Sequence, residues 1–159
     1  MNINLKRGFF MSKELIEELN VQVSTWSVMY AKLHNYHWYV KGKQFFTLHA
    51  KFEELYNEAT AHMDEIAERI LTLGGNPTAT LKEHLEQSVV KEAKGDEQAE
   101  DMVKTIADDF DNIMKSLKKG MEYASEAGDD MTEDILNATY QSIEKHQWML
   151  NAFLGEDNN

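Results

Sequence analysis

The chain has 159 residues, a formal net charge of −12 and no cysteine. Its length suits one domain with a sizeable core, and the lack of cysteine excludes a fold held by disulfides. No run of about 18 apolar residues is present, so no membrane-spanning helix is expected, and we expect a cytoplasmic protein without a signal peptide. The acidic excess disfavours polyanions as partners and favours cations.

The first predicted helix follows a basic segment, residues 1–11, which we expect to be a flexible tail. From Ser12, a suitable N-cap, to about Tyr39, apolar residues recur at steps of three and four. This spacing predicts a long amphipathic helix. Its expected core stripe is Leu15, Leu19, Val23, Trp26, Tyr30, Leu33 and His37. A short loop at residues 40–46 predicts an antiparallel neighbour.

The second predicted helix runs from about Phe46 to Leu73 and ends at two glycines followed by Pro77. Its expected core stripe is Leu48, Phe52, Leu55, Ala59, Met63, Ile66, Ile70 and Leu73. Residues 78–95 have a weak pattern, with room for a short helix near residues 81–90. This stretch forms a long connection to the second half of the chain.

Two more helices complete the predicted domain, which spans residues 12–155, and residues 156–159 form a short acidic tail. Asp96 is the expected N-cap of the third helix, and the sequence Gly128-Asp129-Asp130 separates it from the fourth. Short first and third connections with a long middle one predict an all-α, ferritin-like four-helix bundle. The crossover between helices two and three is expected to carry a short helix.

Four side chains are candidate metal ligands: His37, His49, Asp64 and Glu68. The short loop brings His37, at the end of the first helix, close to His49, at the start of the second. Asp64 and Glu68 are four residues apart on one helix, which places their Cβ atoms about 6 Å from each other. Taken singly, a buried histidine is more often a core residue and a helical acid more often a solvated one.

Distance decides how these candidates can combine. Asp64 follows His49 by 15 residues, or about 22 Å of helix, whereas a metal–ligand bond is about 2 Å long. One metal ion therefore cannot bind both side chains of one chain. Either the chain has two unrelated sites, or a second subunit supplies the missing half across a two-fold axis, which would create two equivalent sites.

The residue types indicate which metals fit. Imidazoles and carboxylates without thiolate suit iron, manganese or zinc better than Cu(I) or an iron–sulfur cluster. The Glu-x-x-His pattern of di-iron sites built inside one bundle is absent, because no histidine has glutamate three positions before it.

Five segments resemble the Dps family, the ferritin-like miniferritins first described as DNA-binding proteins from starved cells. They read LHNYHWYVKG, FFTLH, MDEIAERILTLGGNP, TLKEHL and KHQWMLNAFLG. The resemblance covers residues 12–155, includes the specific arrangement H-x(11)-H followed by D-x-x-x-E, and is closest to the versions from Bacillus-like bacteria.

The resemblance implies a hollow homododecamer with a ferroxidase centre at each two-fold dimer interface. His37 and His49 would come from one subunit and Asp64 and Glu68 from its partner, in agreement with the distance argument. The family oxidises Fe(II), preferentially with hydrogen peroxide, and stores Fe(III) mineral in its cavity. This activity removes both reagents of hydroxyl-radical chemistry.

Further residues acquire expected roles from the resemblance alone. Glu53 stands one turn after His49, where the family often has aspartate, and it can still reach the metal or its water. Trp38 would trap an escaping oxidising equivalent, or would pack in an interface. Asp130 and Asp134 match acidic residues that line iron-entry pores in relatives, whereas Ser125 falls where relatives can have another aspartate.

Two other functions stay open at this stage. DNA binding would rely on Lys6, Arg7 and Lys13 in twelve copies of the basic tail, against an acidic outer surface. A purely structural helical bundle is the third possibility, and a monomeric mass without iron uptake would favour it.

Overall fold

Five helices form the regular structure of the computed structural model, which describes residues 12–157. They are α1 (Lys13–Tyr39), α2 (Phe45–Thr72), α3 (Leu81–Gln87), α4 (Ala99–Glu126) and α5 (Asp130–Leu154). The predicted basic tail, residues 1–11, lies outside the described residues and stays a prediction. Within residues 12–157, every helix is too short or too polar to form a membrane span.

The topology follows from contacts between α1 and the chain around α4. Three contacts run in opposite order along the two segments. Tyr36 contacts Glu97 at 2.9 Å, Lys32 contacts Asp109 at 2.6 Å, and Glu18 contacts Lys119 at 3.1 Å. These two helices are therefore antiparallel. Because short connections also make α1–α2 and α4–α5 antiparallel, α2 and α4 run in the same direction.

The connection from α2 to α4 must then travel the length of the bundle, and α3 lies within it, packed against α1. The predicted fold class, a four-helix bundle with a crossover that carries a short helix, is confirmed. Because α2 pairs with α1 on one side and meets α5 on another, part of its surface stays uncovered within one subunit. Three candidate site residues, Glu53, Asp64 and Glu68, are exposed on α2.

The start of α1 agrees with the prediction, and the start of α4 does not. The Ser12 side chain accepts a hydrogen bond from the Leu15 amide at 3.2 Å. Asp96, however, is not the N-cap of α4, because Gln98 occupies that position and Asp101 accepts a hydrogen bond from its amide at 3.0 Å. With Gln98 as N-cap and Asp101 as its partner, α4 begins two positions later than expected.

The predicted core stripes hold at most positions, with two informative exceptions. Tyr30 is 41% exposed, and its neighbour Met29 is fully buried instead. Met63 is only partly buried, and His62 faces inward. A period-3.6 pattern leaves adjacent positions at the edge of a stripe ambiguous, so the neighbouring helices decide which of the two enters the core.

Charged and polar side chains are also part of the bundle interior. Lys32 and Asp109 form an ion pair at 2.6 Å in which both side chains are almost fully buried. Burial raises the pKa of the Asp109 carboxyl, and the Lys32 ammonium acts in the opposite direction. This pair links α1 to α4 near the middle of the bundle, where the loss of either partner would leave an isolated buried charge.

Candidate metal centre

His37 and His49 hold each other in place through their backbones. The His37 Nδ1–H donates to the His49 carbonyl oxygen at 2.7 Å, and the His49 Nδ1–H donates to the His37 carbonyl oxygen at 2.8 Å. The two rings are stacked, with centroids 3.7 Å apart and planes inclined by 15°. The short α1–α2 connection makes this reciprocal contact possible, because it places the last turn of α1 beside the first turn of α2.

These hydrogen bonds fix the chemistry of both rings. A carbonyl oxygen can only accept, so Nδ1 of each ring carries a proton, and the tautomer that leaves the lone pair on Nε2 is the one these contacts favour. Neither Nε2 atom makes a hydrogen bond to another described residue. A backbone carbonyl that orients one imidazole nitrogen so that the other is free for a metal is the usual arrangement around histidine ligands. The pair therefore has the ring orientation that metal coordination through Nε2 would require.

An aromatic cluster adjoins the histidine pair. The ring of Tyr56 meets His37 edge-on, with centroids 5.3 Å apart, and stacks on His34 at 3.7 Å. The Tyr56 hydroxyl donates to Glu53 Oε1 at 3.4 Å. Partial burial and the Glu53 carboxylate raise the pKa of Tyr56, so the phenol keeps its proton. Glu53 itself is exposed on α2, one turn beyond His49.

The role of Tyr56 did not emerge from the sequence. A signal was available, because Tyr56 lies three residues after Glu53 and seven after His49, on the same face of α2. Without the α1–α2 pairing, however, nothing indicated that His34 and His37 would pack against this tyrosine.

Asp64 and Glu68 form a separate, exposed pair further along α2. Their carboxylates make no hydrogen bond or ion pair with other residues in the described range. At 1.5 Å per residue they lie about 22 Å or more from His49 along a continuous helix. Among residues 12–157, no three histidine, aspartate or glutamate side chains of one subunit converge as a metal site would require.

Three more predicted residues have exposed side chains. Trp38 is 67% exposed at the end of α1, and its ring lies 5.2 Å from that of His34. Asp130 and Asp134 are exposed on the first turns of α5. The structure does not bring Asp130 or Asp134 near His37 and His49 within one chain.

Two other buried histidines share one structural partner. His146 on α5 and His62 on α2 both contact the Glu58 carboxylate through Nε2, at 2.5 and 3.1 Å, and Ser142 contacts it as well. Burial opposes ionisation of Glu58, but these hydrogen bonds outweigh it and hold the pKa of the carboxyl well below its usual range. Lys51 donates to His146 Nδ1 at 3.0 Å.

Comparison with known proteins defines the class to which this chain belongs. A model of the ferritin-like domain matches residues 16–159. General stress protein 20U of Bacillus subtilis is 60% identical over 145 residues, which are 91% of this chain and all of that protein. DNA protection during starvation protein 2 of Bacillus anthracis is 58% identical over 146 residues, with 92% and 100% covered.

Solved structures agree with this result. Dps from Staphylococcus aureus superposes with a TM-score of 0.89 at 54% identity, over 90% of this chain and 96% of that one. Dps from Listeria innocua, in a crystal soaked with zinc, gives a TM-score of 0.86 at 42% identity, over 89% and 97% of the two chains. The fold is thus that of the ferritin-like proteins. Within them, this chain belongs to the Dps family.

Proposed function

We propose that this protein oxidises Fe(II), preferentially with hydrogen peroxide, at sites shared between two subunits, and stores the Fe(III) product inside a hollow dodecamer. The observation that carries the proposal is the histidine pair, in which both Nδ1 atoms donate to backbone carbonyls and neither Nε2 atom has a hydrogen-bond partner among residues 12–157. Asp64 and Glu68 of a second subunit would complete the site, because they cannot reach it within their own chain. In this way two subunits related by a two-fold axis would form two equivalent centres.

The ligand set suits the chemistry. His37 and His49 are neutral donors, which keep the net charge of the site moderate, and the carboxylates of Asp64 and Glu68 favour Fe(III) over Fe(II) because the harder ion gains more from anionic oxygen. Electron transfer from iron to peroxide is thereby assisted. Glu53, held by the Tyr56 hydroxyl one turn from His49, is placed to bind the same ion or its water.

Solved structures of one relative support the proposal. Crystals of Listeria innocua Dps have been soaked with zinc and with cobalt. Two further structures of that protein carry glycine in place of a histidine, at positions twelve residues apart. His37 and His49 are separated by the same number of residues.

A complementation experiment tests the shared site directly. One variant carries His37→Ala and His49→Ala, the other Asp64→Ala and Glu68→Ala, and each alone is expected to lose peroxide-driven iron oxidation. When the two are unfolded together, mixed equally and reassembled, half of the dimers are hybrids, each with one intact site. About one quarter of wild-type activity should therefore return.

The control is the same procedure with each variant alone, which should restore nothing. If the mixed sample also stays inactive while its native mass matches that of the wild type, the site is not shared in this way. Unchanged activity in the Asp64→Ala, Glu68→Ala variant would contradict the proposed ligands themselves.

DNA protection is the second candidate function, and the names of relatives from Bacillus anthracis and Listeria innocua favour it. Protection can arise from binding DNA or from removing Fe(II) and peroxide. A gel shift at low and at physiological salt tests binding, because phosphate contacts weaken steeply with salt. If protection from iron and peroxide persists without a gel shift and disappears in the Asp64→Ala, Glu68→Ala variant, the iron chemistry is responsible.

A further inference from the structure

Lys51, on the second turn of α2, lies against the last turns of α5. Its ammonium donates to His146 Nδ1 at 3.0 Å, and only 17% of its side chain is exposed. His146 in turn contacts Glu58 Oε2 through Nε2 at 2.5 Å. An ammonium can only donate, so these contacts favour the neutral ring with its proton on Nε2 and its lone pair on Nδ1. The three side chains therefore form a line of amine, imidazole and carboxylate.

This order of groups matches the arrangement that activates nucleophiles in enzymes. The nucleophile and its base lie within hydrogen-bond reach, at about 2.6–3.2 Å, and a third group orients the base. Glu58 suits the third role. Burial opposes its ionisation, but hydrogen bonds from His146, His62 and Ser142 hold the pKa of the carboxyl well below its usual range, so it stays a carboxylate. His146 is buried, which limits the access of water to its Nδ1.

An open groove of about 440 Å³ adjoins Lys51, between the first turns of α2 and the last turns of α5. Most of its lining is apolar and comes from Leu48, Ala50, Met149, Leu150 and Phe153. Met149 Sδ lies 3.8 Å from Lys51 Nζ, so the amine stands at the edge of this apolar lining. Glu54 is the other charged residue of the groove. The groove therefore suits an apolar molecule that carries one group reactive toward amines.

We propose that Lys51 is a covalent modification site for apolar aldehydes, with His146 as its base and Glu58 as the group that orients this base. His146 Nδ1 takes one proton from the ammonium, and the amine adds to the carbonyl carbon as the C=O π bond breaks. A proton then moves from nitrogen to oxygen, and His146 returns its own proton to the hydroxyl, which leaves as water. Ammonium and aldehyde thus become an iminium and water, with no change of total charge and no redox reagent. This chemistry does not depend on the proposed iron oxidation.

Two partners of the same nitrogen should have opposite effects on this reaction. The Glu54 carboxylate lies 3.1 Å from Lys51 Nζ and stabilises the ammonium, so Glu54→Gln should speed the reaction. His146→Asn places an acceptor near the Nδ1 position that cannot take up a proton, so it should slow the reaction. If His146 served only to bury Lys51, its replacement by a smaller side chain would expose the amine and speed the reaction instead.

The experiment treats metal-free protein, with the native mass of the wild type, with hexanal and sodium cyanoborohydride. The hydride reduces each iminium to a stable secondary amine, which peptide mass spectrometry assigns to its lysine. Lys145, exposed and next to His146 in the chain, is the internal reference. We expect Lys51 to be labelled at least about tenfold faster than Lys145, about tenfold more slowly in His146→Asn than in the wild type, and faster in Glu54→Gln. Glycolaldehyde, which is small and polar, should show a weaker preference for Lys51.

Labelling of Lys51 no faster than that of Lys145, or unchanged or faster labelling of Lys51 in His146→Asn, would overturn the proposal. An equal preference for Lys51 with both aldehydes would overturn the specificity for apolar ones. If His146→Asn does not assemble, Glu58→Gln decides in its place. This variant keeps one acceptor for the imidazole but removes the charge that favours proton uptake by the ring, so Lys51 should again be labelled more slowly, and wild-type labelling would contradict the role of the base.

Discussion

His37 and His49 donate their Nδ1 protons to each other's backbone carbonyl oxygens, at 2.7 and 2.8 Å, across the junction of α1 and α2. The contact serves two purposes at once. It joins the helix ends by two partly buried hydrogen bonds, and it leaves both Nε2 atoms without a hydrogen-bond partner among the described residues, as the proposed metal binding requires. The two purposes can be separated by substitution.

His37→Asn keeps a side-chain N–H near the Nδ1 position but has no nitrogen at the Nε2 position. We expect it to lower Co(II) affinity by at least about tenfold while the midpoint of chemical denaturation changes little. His37→Ala should lower both, with a stability loss of about 1 kcal/mol from the missing hydrogen bond. His34→Ala is the control for general effects on α1, and equal loss of affinity in that variant would contradict the assignment.

Substitutions in the buried ion pair of Lys32 and Asp109 should have non-additive effects on the free energy of unfolding. Lys32→Met alone should destabilise the protein by about 3–5 kcal/mol, because it strands the Asp109 carboxylate. The double variant Lys32→Met, Asp109→Leu should be far less destabilised, and can equal the wild type. Denaturation midpoints of the two single variants and the double variant give the coupling.

The loss of stability in Lys32→Met should also become smaller as the pH is lowered. Burial raises the pKa of Asp109, so the folded form takes up a proton more readily than the unfolded chain does, and a neutral carboxyl needs no cation. A deficit that stays constant from neutral to acidic pH would contradict this explanation.

The stability that the Glu97 carboxylate contributes should decrease as the pH is lowered. Burial opposes its ionisation, but hydrogen bonds from the Lys94 and Gly95 amides and the Tyr36 hydroxyl prevail and lower its pKa to about 2. The folded-state pKa is below the unfolded value of about 4.3, so the stabilisation is complete above that pH and is lost between there and about 2. Glu97→Gln should therefore reduce the acid sensitivity of the denaturation midpoint in this window. The exposed change Glu100→Gln serves as the reference.

Substitution of Glu58 should change the stability of the protein without any effect on the proposed metal site. Glu58→Ala removes the acceptor shared by His62, His146 and Ser142, and should cost about 2–3 kcal/mol. Glu58→Gln should cost less, because an amide still offers one acceptor. Co(II) affinity should match the wild type in both variants, since the network faces α5 and not the His37–His49 pair. A loss of affinity would show that the network supports the site.

The sequence by itself determined the helices and showed that His49 and Asp64 of one chain are too far apart to bind one metal ion. Helical periodicity and capping residues are local properties, so the number of helices, the N-cap at Ser12 and the crossover could all be predicted. The rise of a helix is constant, so the separation of His49 from Asp64 followed from counting residues alone. Whether a second subunit supplies the missing carboxylates stays a prediction that the complementation experiment decides.

Only the tertiary structure decided which contacts the helix faces make. The packing of Tyr56 beside His37 and the ion pair of Arg69 with Asp129 join elements that are distant in sequence. Tyr30 lies at the edge of a helical stripe, where the neighbouring helices decide its exposure. Such contacts depend on how helices pack, and a one-dimensional pattern does not contain that information. The orientation of the two imidazoles belongs to the same class, because it requires the carbonyl of one helix end to meet the ring of the other.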